Sequence, residues 1–211
     1  LALFLLAMLG YDRWRHGSEG KRAAEYGLLL ACGLVGAIVG FSQDQISIRV
    51  SPDYFVYGKG IERGPNFARD VSFLGTYAGL VAGMVLGGLM LLTNQPRKTR
   101  AQHSSWALLR IALPRTLGPA LAGVPLGLLI VPATPLRDQL GRSLLSPGET
   151  ERFLQVWGMH IGLYAGAGLG VIWALAASWR TRPVITPPVI TPPGPAPDPE
   201  LEPNPEPEPI S

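Results

Sequence analysis

Two short groups of polar residues interrupt otherwise apolar stretches of the chain, and their side chains are of types that can move protons. Asp44 and Gln45 follow one apolar run, while His160 and Tyr164 lie four residues apart inside another. Residues at i and i+4 share a helix face, so the imidazole and the phenol are expected side by side. A histidine inside a membrane helix is costly unless it is paired, which makes His160 a candidate functional residue with Asp44 or the Tyr54 hydroxyl as its partner.

Three interpretations of this predicted polar cluster (Asp44, Gln45, Tyr54, His160 and Tyr164) stay open. The side chains could fix the path of a loop, form a proton-sensitive gate or ion site, or take part in catalysis. The sequence contains no HExxH motif, nucleophile elbow, Walker loop or dinucleotide fingerprint. It therefore predicts no metal site and no cofactor, and it favours a non-enzymatic protein.

The composition is that of a membrane protein. Of the 211 residues, 47% are hydrophobic and 16% are charged, whereas soluble domains carry about a quarter charged residues. The net charge of +3 is small, and the basic residues cluster at the ends of apolar runs, so it does not indicate a nucleic-acid partner. The single cysteine, Cys32, lies within an apolar run and is expected to be a buried, inert thiol.

Four apolar segments approach the roughly 20 helical residues that a bilayer crossing requires. They predict spans over residues 23–41, 71–92, 106–131 and 156–178. The predicted fold class is an all-α integral membrane protein, a four-helix transmembrane bundle. The predicted divisions are an apolar stub and basic cytoplasmic segment over 1–22, the bundle over 23–179, and a disordered tail rich in proline and glutamate over 180–211.

Basic residues indicate an orientation for these spans. They cluster before the first span, in the short 93–105 loop and after the fourth span, whereas the loops 43–70 and 132–155 carry acids and bases in balance. Since loops rich in Lys and Arg face the cytoplasm, both termini are predicted to be cytoplasmic. The predicted polar cluster then lies at the outer face.

Glycine recurs at every fourth position in two of the spans. The second span carries Gly75, Gly79, Gly83 and Gly87, and the fourth carries Gly158, Gly162, Gly166 and Gly170. Such faces let helix backbones approach closely in lipid. They predict tight packing within the bundle or, alternatively, contacts between copies of the chain or the lining of a pore.

A short extended or hairpin segment is predicted after the first span, because Ile46–Val50 alternates apolar and polar residues. The aromatic rings of Tyr54, Phe55 and Tyr57, which follow a turn, are expected at headgroup level. The whole stretch is expected to cap the outer end of the bundle and to contact the fourth span near His160.

The strings DQISIRVSPDYF (residues 44–55) and WGMHIGLYAGAGLG (residues 157–170) resemble those of a family of uncharacterised bacterial integral membrane proteins. Its motifs can be written DQ-x5-SP[ED]YF and H-x3-Y-x-G. Asp53 stands where glutamate is usual in that family, a change that keeps the charge. The resemblance implies a protein of about four spans in the bacterial inner membrane, and it implies no activity.

These observations favour a non-enzymatic protein with a structural or assembly role. The alternative is a small transporter or channel with a proton- or ion-sensitive site at His160 and Asp44. The expected partners are the lipid bilayer, a second copy bound through the glycine faces, and a protein that recognises the proline-rich tail.

Overall fold

The computed structural model describes residues 7, 10–15, 17, 21–97, 99–131 and 146–185. Several predictions concern residues outside these ranges. The apolar start of the chain falls largely outside these residues, and residues 132–145 of the second long loop and the tail from residue 186 onward lie wholly outside them.

Five helices make up most of the described chain. They are α1 (Arg22–Val50), α2 (Pro52–Lys59), α3 (Phe67–Thr93), α4 (Ser105–Ile130) and α5 (Pro147–Thr181). All except the short α2 are long and apolar enough to cross a membrane. The predicted all-helical, multi-pass architecture is confirmed to that extent.

Local sequence explains where several of these helices begin and end. The Ser104 hydroxyl oxygen accepts a hydrogen bond from the Ala107 N–H at the start of α4. Ser146 and Glu149 form a capping box at the start of α5. Helix α2 ends at Lys59 and is followed by Gly60, whose φ of 70° lies in the left-handed region that glycine adopts without strain.

The prediction of an extended segment after the first span is wrong, because α1 continues as a helix to Val50. In this helix Gln43 and Ser47 are buried on one face, and the Gln43 amide donates to the Ser47 hydroxyl at 3.3 Å. Ile46 instead is half exposed. Apolar side chains of a membrane helix can face lipid, so five alternating residues did not distinguish a strand from a helix.

The spanning helices pack as two pairs. Helix α1 packs along α3 and α4 packs along α5, whereas contacts between the two pairs are much sparser. We call α1 with α3 the first helix pair and α4 with α5 the second helix pair. A Cβ atom added to Gly79 would collide with the Gly36 carbonyl oxygen, and one added to Gly162 would collide with that of Gly123. Backbone thus lies directly on backbone within each pair.

The two helix pairs repeat one packing pattern. In the first pair the contacts are Gly40 with Gly75, Gly36 with Gly79, Cys32 with Gly83 and Leu29 with Gly87. In the second they are Gly127 with Gly158, Gly123 with Gly162, Pro119 with Gly166, and both Arg115 and Thr116 with Gly170. Each contact residue of α1 has its counterpart on α4 at one fixed spacing along the chain, and each glycine of α3 has its counterpart on α5 at another. The sequences Gly-Leu-Val-Ala-Gly from Gly79 and Gly-Leu-Tyr-Ala-Gly from Gly162 match as well.

A buried arginine closes one end of the bundle. Arg182, 2% exposed, follows α5 and donates hydrogen bonds only to backbone carbonyls among its described partners. Those carbonyls belong to Thr93, Gln95, Arg100 and Ala101, at 3.2, 2.7, 3.3 and 3.1 Å. The guanidinium therefore ties the loop between α3 and α4 to the end of α5, at the end of the bundle opposite α2.

Candidate functional site

A buried ionisable pair joins the two helix pairs at the end of the bundle that carries α2, which we call the α2 end. His160 Nε2 on α5 lies 3.0 Å from Asp44 Oδ1 on α1. The side chains of His160 and Asp44 are 3% and 7% exposed. Gly75 on α3 makes room for the carboxylate, because a Cβ atom there would lie 2.5 Å from Asp44 Oδ2.

The second ring nitrogen of His160 determines the chemistry of this pair. Nδ1 lies 2.9 Å from the Val156 carbonyl oxygen, which can only accept, so Nδ1 carries a proton. The contact between Nε2 and Asp44 then needs one further proton, either on Nε2 as an imidazolium or on the Asp44 carboxyl group. In both arrangements one proton lies between α1 and α5, and the pair as a whole has no net charge.

Aromatic rings surround the imidazole. The Tyr54 ring on α2 stacks on it, with centroids 4.7 Å apart and planes 25° apart. The rings of Phe55 and Tyr164 approach it edge to face, at 6.4 and 5.9 Å. Tyr54 also contacts Phe153 at 5.6 Å. Helix α2 therefore lies across the end of the bundle and packs its buried aromatic side chains against α5.

The aromatic rings of α2 differ in burial. Tyr54 and Phe55 are buried within the protein, and among the aromatic residues of α2 only Tyr57 is exposed. Burial raises the pKa of the Tyr54 phenol well above its usual range, and nearby Tyr164 and Asp44 raise it further. Tyr54 meets His160 through ring stacking, while Asp44 supplies the hydrogen bond.

The residues of the predicted polar cluster are not all in one place. Asp44, Tyr54, His160 and Tyr164 meet around the imidazole. Gln45 instead donates from Nε2 to the Ser72 hydroxyl on α3 at 2.7 Å. Successive helical residues point about 100° apart, so Asp44 and its neighbour Gln45 serve different interfaces, one between the helix pairs and one within the first pair.

A cavity of about 330 Å³ lies between the two helix pairs and reaches the side chains of His160 and Asp44. The lining combines small and aliphatic residues from α1, α3, α4 and α5. The polar side chains that line it at the α2 end are those of Gln43, Asp44, Lys59, His160 and Tyr164.

Gln43 and Lys59 were not identified from the sequence. Gln43 is one residue before Asp44, and the α-helical spacing from Gly36 and Gly40 already put it on the cavity side of α1. Lys59 is the last residue of α2, and its Nζ lies 5.6 Å from the centroid of the Tyr54 ring. The sequence carried no signal for Lys59, because the prediction did not include α2 as a helix.

Within the described part of the chain, no group of three or more His, Cys, Asp or Glu side chains is arranged to hold a metal ion. Comparison of the chain with protein-family models, with curated proteins and with solved structures finds no match.

Proposed function

We propose that the protein is a small proton-responsive transporter or channel in which the two helix pairs move against each other across the central cavity. One observation carries this proposal. The buried bond between His160 and Asp44 joins the two helix pairs beside the cavity, in a region where other contacts between the pairs are sparse.

The proton between the two side chains makes this link responsive to pH. When that proton leaves, the lone pair of Nε2 faces a carboxylate oxygen, and the attraction that joins α5 to α1 is lost. The other ionisable side chains facing the pair are Tyr54 and Lys59 from α2 and Tyr164 from α5 itself, whereas α3 and α4 line the described cavity with uncharged residues. Loss of one proton would therefore favour a state in which the pairs are less tightly held.

The repeated packing of the two helix pairs supports a transport role. Many transporters are built from internal repeats, and their substrate sites lie at the interface between the repeats. Here each pair is held together by backbone contacts at glycines, while the interface between the pairs contains empty volume. Each pair is thus suited to move as a rigid unit.

A structural or assembly role is the second candidate. Both ring nitrogens of His160 have partners within the chain, so the pair could serve as a fixed clasp. The glycine faces at the contacts described above are covered by the chain's own helices. An oligomer would then use other surfaces or the proline-rich tail.

The proposed setting is the bacterial inner membrane with both termini in the cytoplasm, as the distribution of basic residues predicts. In that orientation the α2 end faces outward, and the proton of the His160–Asp44 pair is exchanged with the outer side.

Reconstituted vesicles containing a pH-sensitive dye test the transport proposal. We expect protein-dependent flux of protons after a step in the external pH. Asp44→Asn should abolish the proton dependence, because an amide N–H can donate to a neutral Nε2 without a titrating proton. Gln45→Ala, which alters the neighbouring residue but not the pair, is the matched control. A flux equal to that of protein-free vesicles would favour the clasp.

A further inference from the structure

The cavity between the helix pairs is long, and its lining changes in character from one end to the other. Along α1 the lining runs from Cys32 to Asp44, a rise of about 18 Å at 1.5 Å per residue. Its volume of about 330 Å³ is at the lower end of the range for small-molecule sites.

Polar and apolar lining residues are segregated along the cavity. The α2 end presents the amide, carboxyl, ammonium, imidazole and phenol groups named above. Away from that end the lining is formed by aliphatic side chains such as Leu86, Leu113 and Val171, with Thr116 as a hydroxyl among them. A long apolar slot with polar groups concentrated at one end matches a molecule that has one hydrocarbon chain and one polar head.

The charge at the α2 end indicates the sign of that head. The His160–Asp44 pair has no net charge in either protonation arrangement, and the raised pKa of Tyr54 keeps its phenol neutral. Lys59 adds one positive charge at the edge of the cavity, and it forms no ion pair with a carboxylate in the described part of the chain. The end of the cavity therefore favours a head with a single negative charge.

We propose that the cavity binds a single-chain amphiphile with a monoanionic head, of which a long-chain carboxylate is the simplest example. Its carboxylate lies near Lys59 at the α2 end, and its hydrocarbon chain runs between the helix pairs toward Leu86 and Val171. This inference rests on the proposed function and names the substrate class of that same cavity.

The binding test uses the full chain in nanodiscs of zwitterionic lipid and a long-chain fatty acid that carries a photoactivatable diazirine at the end of its chain. We expect crosslinks at the aliphatic lining residues, mapped by mass spectrometry. A fatty acid of equal length should compete, and an alkyltrimethylammonium ion of equal length should not. Lys59→Gln should weaken labelling roughly two- to fivefold, as expected for loss of an exposed ion pair.

Two alanines at equivalent positions of the helix pairs provide a matched test of location. Both side chains are exposed, but Ala82 on α3 lines the cavity, whereas Ala165, its counterpart on α5, lies outside the lining. Ala82→Leu should eliminate labelling because its side chain fills the slot, while Ala165→Leu should leave labelling unchanged. Thermal unfolding of each variant confirms that it is folded.

The outcomes separate the binding site from the transport proposal. Labelling that persists in Ala82→Leu overturns the cavity site, and equal competition by the cationic amphiphile overturns the anionic head. Labelling as expected in a protein without proton-dependent flux supports the site and contradicts the transport function. Flux without labelling of the cavity contradicts the site alone.

Discussion

His160 and Asp44 form a buried hydrogen bond of 3.0 Å between two helix pairs that otherwise touch sparsely. Nδ1 of His160 carries a proton, because its partner, the Val156 carbonyl oxygen, can only accept a hydrogen bond. The residues are far apart in the chain, and each lies on a helix packed by glycines against a different partner. The bond therefore connects two helix pairs that are each held together by backbone contacts at glycines.

Removal of the imidazole should destabilise the fold more than neutralisation of the carboxylate. His160→Ala leaves Asp44 buried without its partner and should lower the free energy of unfolding by about 3–5 kcal/mol. Asp44→Asn keeps a hydrogen bond and should cost less than about 1.5 kcal/mol. Unfolding in mixed micelles measures both, with Ile161→Ala at an exposed neighbour as control. Equal losses for the two variants would show that asparagine does not replace the hydrogen bond that Asp44 makes with His160.

Ionisation of Tyr54 should make the fold sensitive to alkali. Because burial raises the pKa of its phenol, the folded protein binds this proton more tightly than the unfolded chain. The resulting stabilisation is complete below about pH 10, the ordinary value for tyrosine, and is lost as the pH rises toward the pKa of the folded state.

Tyr54→Phe isolates this effect, since it keeps a ring to stack on His160 and removes the titrating group. Unfolding measured from neutral to strongly alkaline pH should show a shallower loss of stability in this variant than in the unchanged protein. Tyr57→Phe, at an exposed position of the same helix, should leave the slope unaltered. Parallel curves for Tyr54→Phe and the unchanged protein would show that the buried phenol does not contribute.

Glycines at the helix contacts should not tolerate even one methyl group. Gly79→Ala places Cβ against the Gly36 carbonyl oxygen, and separation of the helices should cost about 1–3 kcal/mol. Gly118→Ala is the control, because its Cβ would have no neighbour within 4 Å. Alanine favours helix there by up to about 1 kcal/mol. Similar unfolding free energies for the two variants would contradict direct backbone packing.

Arg182 should be essential for order at the end opposite α2. Arg182→Ala leaves four backbone carbonyls without their donor and should lower the free energy of unfolding by about 3 kcal/mol, since a hydrogen bond to a charged group contributes about 1.5–3 kcal/mol. Lysine should not restore this, because it lacks the planar fork of donors. Arg180→Ala, at an exposed site in α5, should have little effect. Faster hydrogen exchange over residues 94–101 would locate the change.

The four spans could be predicted from the sequence because length and apolar content are sufficient for that purpose. The helical end of α1 could not, because Ile46 faces outward while Ser47 is buried. In lipid, polarity does not separate the inside of a bundle from its surface. The same ambiguity explains why the burial of Tyr54 against His160 could not be predicted from its aromatic side chain.

The candidate site was accessible to sequence reasoning only in part. His160 and Asp44 stood out because ionisable residues are expensive within a membrane. The residue that each glycine contacts depends on the register between neighbouring helices, and one amino-acid sequence does not reveal that register. The sequence did indicate that the two helix pairs are equivalent, because the pattern Gly-Leu-x-Ala-Gly begins at both Gly79 and Gly162.

The most direct test of the proton-linked connection is the distance between the helix pairs as a function of pH. Spin labels at Arg49→Cys on α1 and Arg152→Cys on α5 use exposed positions near the α2 end. Pulsed electron paramagnetic resonance on the reconstituted protein should show a longer distance that becomes populated as the pH is raised, because the shared proton then leaves the pair. Asp44→Asn should give a single distribution that does not change with pH. A distribution that is the same at every pH in the otherwise unchanged protein, or an equal shift in Asp44→Asn, would contradict the account.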